Sequence, residues 1–176
     1  MESLIKTIIP PLASLNLFSN SLSAGKDATV YQTERGVCGF LVCFDSIYDV
    51  LARDTVRAGA QVLVLPTNDS WFFDSAAVYM HNNQARLRAI ETGRCVIRAA
   101  NTGVSSLIFP AGETIDFLGP SVRGYVSGTV GIYDNVTPYV LFGNLFVAVS
   151  AAFLAGMLGI GIYRYSKRRR EEQEAF

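Results

Sequence analysis

The stretch VCGFLVCFDS, residues 37–46, sets a short β-branched and aromatic run against a cysteine, a phenylalanine and a carboxylate. The apolar part, 37–42, has the pattern of a fully buried strand, and Cys43 stands where that strand stops. The following SIYDVLARDTVRAGA, 46–60, sets Ile47, Val50, Leu51 and Val56 near one helical face, with Ser46 as the expected N-cap and Gly59 as the stop. Strand, sharp turn and helix place Cys43 at the carboxyl end of a strand, where open α/β sheets hold their ligands.

Outward from this unit the alternation continues. AQVLVLPTNDSWF, 60–72, predicts a second buried strand over 62–65 that ends in a polar and aromatic loop. SAAVYMHNNQARLRAIETGR, 75–94, reads as a helix closed by Gly93, and CVIRAANTGVSSLIFPAGETI, 95–115, as two strands joined at Asn101-Thr102-Gly103, with a break at Pro110-Ala111-Gly112. Strands alternating with helices, then short strands, argue for an α/β layered domain.

The chain has 176 residues, half of them apolar, and no net charge. Five of the fifteen basic side chains crowd into the tail from Arg164, leaving the body slightly acidic, so a nucleic-acid partner is not indicated. Three cysteines without metal spacing imply neither a metal site nor a disulfide framework, and no cofactor is called for. Cys38 and Cys95 sit in apolar runs and read as core; Cys43, beside Asp45, is the candidate for chemistry. His81 is the only histidine and reads as a solvated or capping residue of a polar helix. A serine triad is not supported, and a nucleophilic Cys43 would need a carboxylate or lysine as its base.

Residues 141–163, LFGNLFVAVSAAFLAGMLGIGIY, carry no charge and are long enough to cross a hydrocarbon core of about 30 Å at about 1.5 Å per residue. Gly156, Gly159 and Gly161 offer a small-residue surface for helix packing, although glycine is also simply common in such helices. The basic cluster after the span, including Lys167, Arg168, Arg169 and Arg170, predicts a cytoplasmic tail and a domain on the outer side. Residues 1–20 lack the pattern of an export signal, being broken by Pro10 and Pro11, so the chain is expected to be the carboxyl-terminal piece of a longer membrane protein.

Four motifs, LVCFDS, LVLPTNDSWF, RLRAIETGR and RAANTGVSS, followed by Thr137-Pro138-Tyr139 and Gly143-Asn144 at the entry to the span, resemble the carbon-nitrogen hydrolase (nitrilase) superfamily. Within it they resemble the bacterial apolipoprotein N-acyltransferases, over roughly 24–163. The resemblance implies a nitrilase-like α-β-β-α sandwich, here amino-terminally incomplete, followed by one transmembrane helix. It implies a Glu-Lys-Cys triad in which Cys43 matches the nucleophile, takes an acyl chain from a phospholipid as a thioester, and passes it to the amino terminus of a diacylglyceryl lipoprotein. The backbone N–H of Phe44 would be the first oxyanion donor; Asp45 and, in the next loop, Asn68, Asp69 and Trp71 are the supporting positions. The implied location is the bacterial cytoplasmic membrane, with the domain on its extracytoplasmic side.

Two departures stand out. The family's Cys-Tyr-Glu reads Cys43-Phe44-Asp45 here, which removes a phenol and shortens the carboxylate by one methylene. The family's base glutamate and lysine precede the cysteine in motifs that Glu2, Glu34, Lys6 and Lys26 do not match, so neither is assigned to this chain. The expected organisation is an amino-terminal segment 1–23 within the incomplete domain, a hydrolase-like domain 24–139, a membrane helix 140–163 and a tail 164–176. The acyltransferase part is expected to act only when completed by the missing amino-terminal half. Two alternatives stay open: a non-catalytic membrane-anchored remnant that binds a partner or lipid, and a soluble amidase, against which the uncharged span speaks.

Overall fold

The computed structural model describes residue 25 and residues 27–174; the expected amino-terminal segment lies outside the described residues. One six-stranded sheet follows chain order: β1 (Val30–Thr33), β2 (Gly36–Phe40), β3 (Val62–Asn68), β4 (Cys95–Asn101), β5 (Ser105–Ile108) and β6 (Thr114–Leu118). The centre, β2-β3-β4, is parallel, and β1, β5 and β6 add antiparallel at its two sides. Parallel neighbours need crossovers, supplied by α1 (Asp49–Arg57) between β2 and β3 and by α2 (Ala77–Thr92) between β3 and β4. The carboxyl ends of all three parallel strands therefore share one edge.

Both helices pack on one face. Leu41, Leu63, Leu65, Val96 and Ile108 from the sheet meet Ala52 and Val56 of α1 and Ala85 and Ala89 of α2, all essentially inaccessible to solvent. Burial of each large aliphatic side chain contributes about 1.5–3 kcal/mol. The contact is close because small residues line it: a Cβ on Gly39 would run into Thr55 Cγ2 and lie 2.8 Å from Ala60 Cβ. This corrects the expected face of α1. Ile47, Val50 and Leu51 are exposed, and the buried residues are Ala52, Thr55 and Val56, because only short side chains fit above Gly39.

α2 ends as its sequence predicts, with Gly93 in the left-handed region at φ 66 and its N–H bonded to Ala89 O. The second strand runs further than expected, through Pro66 to Asn68, because β4 pairs with it over its whole length. Among the described residues the architecture is one sheet with one layer of helices, half of the expected four layers. On the opposite face Tyr31, Phe40 and Val42 remain exposed, Tyr31 and Phe40 meeting edge to face with centroids 5.3 Å apart.

The apolar end of the chain differs from a single uninterrupted span. α3 (Pro138–Phe142) ends at Gly143, whose φ of 58 breaks the helix, and α4 (Leu145–Glu174) begins two residues later. Gly143 is required twice over, since a Cβ there would also collide with Arg53 Nη1. Within α4, Leu145–Arg168 is long and apolar enough to cross a membrane, and none of its apolar stretch is buried against the rest of the protein. Polar contacts join its base to α1: Tyr139 Oη donates to Asp49 Oδ2 at 2.6 Å, Asn144 Nδ2 to the same oxygen at 3.1 Å, and Arg57 to the carbonyls of Val140 and Leu141 at 2.8 Å each.

Candidate active site

The edge shared by the three parallel strands carries Cys43. The Leu41 N–H extends the β2–β3 ladder to Val64 O at 3.0 Å, after which the chain turns into a 3₁₀ helix, Cys43–Ile47. Cys43 has φ 53, a left-handed conformation that costs a non-glycine residue on the order of 1–3 kcal/mol and persists only where its surroundings enforce it. Asp45 is one of the restraints, its Oδ2 accepting from Val42 N–H at 2.9 Å while its own N–H donates to Val42 O at 3.1 Å. The shorter carboxylate at this position is thus long enough to cap the turn that it follows. Cys43 is half-buried, and the N–H of Phe44 belongs to the opening of a helical turn, where amides lack intrahelical partners.

Beneath the turn lies a buried polar chain. Ser46 Oγ stands 2.9 Å from Cys43 O and 3.1 Å from His81 Nε2. His81 Nδ1 is 2.8 Å from Asp69 Oδ1, which also accepts from Thr67 Oγ1 at 3.1 Å, and Asp69 Oδ2 accepts from Arg98 Nη2 at 2.6 Å. Arg98 Nε donates to Val104 O at 3.0 Å. Burial pushes the Asp69 carboxyl up, but the His81 hydrogen bond, the Arg98 and His81 charges and Thr67 together outweigh it and hold the group below its ordinary value. Burial drives Arg98 downward, opposed chiefly by the charge and the hydrogen bond of Asp69. Gly103 is obligatory here: a Cβ would occupy the space of Asp69 Oδ2.

This arrangement corrects two expectations. His81 is neither solvated nor capping; it is 3% exposed, because Val78, Asn82, Ala85 and Ala89 face the sheet and His81 lies beside that stripe. Ser46 does not cap α1, whose N-cap is Tyr48; its hydroxyl turns inward to the Cys43 carbonyl and His81 instead. The Phe44 ring covers His81 with centroids 5.5 Å apart, and Phe72 meets it edge-on at 5.7 Å.

The remaining sequence-derived positions separate. Asn68 is at the edge, its Oδ1 accepting from Ser70 N–H and Asn101 Nδ2, so it ties the ends of β3 and β4 together. Asp69 points inward to Arg98 and His81, whereas Trp71 projects outward, 81% exposed, with Phe73 beside it in sequence and 84% exposed. Cys95 is fully buried and burial pushes its thiol up; Cys38 is half-buried on β2. Sequence reasoning missed Ser46, His81 and Arg98. The helical spacing of Val78, Asn82, Ala85 and Ala89 is the signal that places His81 next to the buried stripe, and the strand alternation Val96, Arg98 puts the arginine on the core face.

The sheet is parallel at its centre and carries a cysteine turn at its carboxyl edge. The carbon-nitrogen hydrolase profile matches residues 4–132, and the chain belongs to that family. Its relatives include the apolipoprotein N-acyltransferases of Gloeobacter violaceus, 36% identical over 167 residues, and of Geobacter metallireducens, 33% identical over 163 residues. These alignments cover 94% and 89% of this chain but 32% and 31% of the relatives, so the chain spans about one third of their length. Among solved structures, an amidase from Nesterenkonia sp. superposes with a TM-score of 0.52 at 18% identity, over 73% of this chain and 49% of that one. A carbon-nitrogen hydrolase from Helicobacter pylori G27 gives 0.51 at 18%, over 56% and 41%. At such identities the likeness is one of fold.

Proposed function

We propose that this chain forms the carboxyl-terminal part of an apolipoprotein N-acyltransferase, with Cys43 as its nucleophile. The observation that carries the reading is the left-handed turn at Cys43, which presents a thiol at the carboxyl end of a central parallel strand ahead of the Phe44 amide. In this reading the Cys43 thiolate attacks the ester carbonyl of a phospholipid; an S–C bond forms, the ester C–O bond breaks, and the lysophospholipid leaves with a proton from a general acid. The free amino terminus of a diacylglyceryl lipoprotein then attacks the thioester; the conjugate base of that acid takes the proton the amine gives up, the C–N bond forms, the C–S bond breaks and the thiolate is released. Phe44 N–H serves as one donor to the tetrahedral oxyanion. The base glutamate and the lysine come from an amino-terminal part outside the region described, which also supplies the layer that covers Tyr31, Phe40 and Val42. Proton transfer of this kind is worth about 10²–10⁴ in rate, so the chain alone is expected to be inactive.

The domain, on this reading, ends at Tyr139, and α4 crosses the cytoplasmic membrane with the basic tail inside. Trp71 and Phe73 lie toward the lipid and the acyl path, aromatic side chains being favoured at that depth. The test is capture of the thioester. The chain, in lipid vesicles containing phospholipid with a labelled acyl group, is incubated alone and with the amino-terminal part of a relative supplied in trans. A label on Cys43 that hydroxylamine removes, present only in the complemented sample and absent from Cys43→Ser, is the expected result. Label on the chain alone would overturn its dependence on a second part, and no label in either sample would favour the non-catalytic remnant.

A further inference from the structure

His81 has a partner at each ring nitrogen, and the two partners make different demands on its proton count. Asp69, ionised and paired with Arg98, accepts at Oδ1, so Nδ1 carries a hydrogen. At the other nitrogen stands Ser46 Oγ, 3.1 Å away and also 2.9 Å from the Cys43 carbonyl oxygen. A serine hydroxyl has one proton to give. If Nε2 is bare, that proton goes to the ring and the Cys43 carbonyl loses its donor. If Nε2 is protonated, the ring donates to Ser46 Oγ and the hydroxyl proton is free for Cys43 O. Only the imidazolium satisfies all three contacts at once.

The carbonyl concerned belongs to the residue at φ 53, whose conformation has to be held by its neighbours. Asp69 and Arg98 lie at the Nδ1 edge, Arg98 Nη2 being 3.3 Å from Nδ1, so that one favours the imidazolium and the other opposes it. Cys43 is the titratable group above, Asp45 is turned to the Val42 N–H, and Phe44 and Phe72 cover the ring. The neighbouring Asn82 of α2 is uncharged and accepts from Ser106 Oγ at 2.8 Å.

We propose that His81 is a positioning residue for the Cys43 turn: protonated, it directs the Ser46 hydroxyl to the Cys43 carbonyl and holds the thiol in its left-handed presentation, and on losing the proton it withdraws that hydroxyl and slackens the turn. The proposal rests on the reading of Cys43 as the nucleophile, yet it concerns the thiol's own reactivity and needs neither lipid substrate nor a complementing part.

The test uses the full chain in detergent micelles. Iodoacetamide is applied over a pH series wide enough to change the ring resonances, and alkylation of Cys43 is followed by peptide mass spectrometry with Cys38 as internal reference. In parallel the ring resonances of His81, unambiguous because it is the single histidine, report its protonation. Per thiolate, Cys43 reactivity is expected to differ by roughly fivefold between the protonated and the neutral form of the ring, the size of one lost hydrogen bond. That step should vanish in Ser46→Ala, with the Cys38 profile unchanged, and His81→Gln should behave alike. A wild-type Cys43 profile with a single ionisation and no step where the ring resonances change would overturn the proposal without any variant having to fold. So would a Ser46→Ala profile that keeps the step, or one lowered equally at every pH, which is what a merely structural serine would give. Failure of lipid acylation with the step present would leave the positioning role standing and refute the acyltransferase reading alone.

Discussion

Asp69 concentrates the electrostatic cost of the site in one residue. Its side chain is wholly buried, faces a wholly buried Arg98 at 2.6 Å, and also receives His81 and Thr67. Removing one member of such a pair leaves an uncompensated buried charge, a loss of about 3–5 kcal/mol. Asp69→Asn should therefore destabilise the domain by that order in urea unfolding. The pH dependence follows from the sign of the shift. The folded carboxyl lies below its unfolded value of 3.8, so its stabilisation is complete above that pH and is lost as pH falls through the folded value. Below that unfolded value the difference between wild type and Asp69→Asn should thus shrink as pH falls; a difference that grew in acid would contradict the ion-pair account.

At the scale of elements, fit between sheet and helices depends on what is absent. Gly39 lets α1 approach until Thr55 and Ala60 fill the place of its missing side chain. Gly39→Val should cost several times the about 1 kcal/mol of an ordinary β substitution, with lost α1 protection in hydrogen exchange. The β2-α1-β3-α2-β4 succession was legible because apolar runs of strand length alternate with Gly59 and Gly93 as helix stops, and both glycines take positive φ as such stops do. The buried face of α1 was not legible, since hydropathy ranks Val50 and Leu51 above Ala52 and Thr55 while space above Gly39 ranks them the other way. The same blindness hid His81: a lone histidine among asparagines reads as polar surface until β3 and β4 bring Asp69 and Arg98 to it. Motif resemblance pointed to Cys43, but the Ser46 contact beneath it exists only once α2 is packed. The joint between α1 and α3 adds a second pH signature. The Tyr139 hydroxyl, pushed up to about 12 by burial and by its bond to Asp49, stabilises fully below the ordinary tyrosine value and loses its effect as pH rises through about 12. Tyr139→Phe should cost about 1 kcal/mol at neutral pH, measured by thermal unfolding, with the deficit disappearing only in strong alkali.

For the molecule as a whole, the folded body and α4 pose a question of sidedness. With the basic tail inside, as proposed, Asp74→Cys in the exposed aromatic loop should react with a membrane-impermeant thiol reagent in intact cells. Ser166→Cys should react only after permeabilisation, both being placed in a chain whose Cys38 and Cys43 are serine. Labelling of Ser166→Cys alone would reverse the orientation and remove the lipoprotein reading with it. The two faces of the sheet also differ: the helix face is covered by its own crossovers, whereas on the other face Tyr31, Phe40 and Val42 are exposed among the described residues.

The Gly143 break has a kinetic meaning. If α4 crosses a membrane as proposed, the clamp that Asp49, Arg57, Tyr139 and Asn144 form between its base and α1 makes the apolar helix a pedestal rather than a leash. A leashed domain samples a hemisphere of solution and meets its reactants by three-dimensional diffusion. A domain on a pedestal is confined to a fixed depth, so its encounters in a bilayer become lateral collisions in a plane, set by lipid viscosity and surface density rather than by bulk concentration.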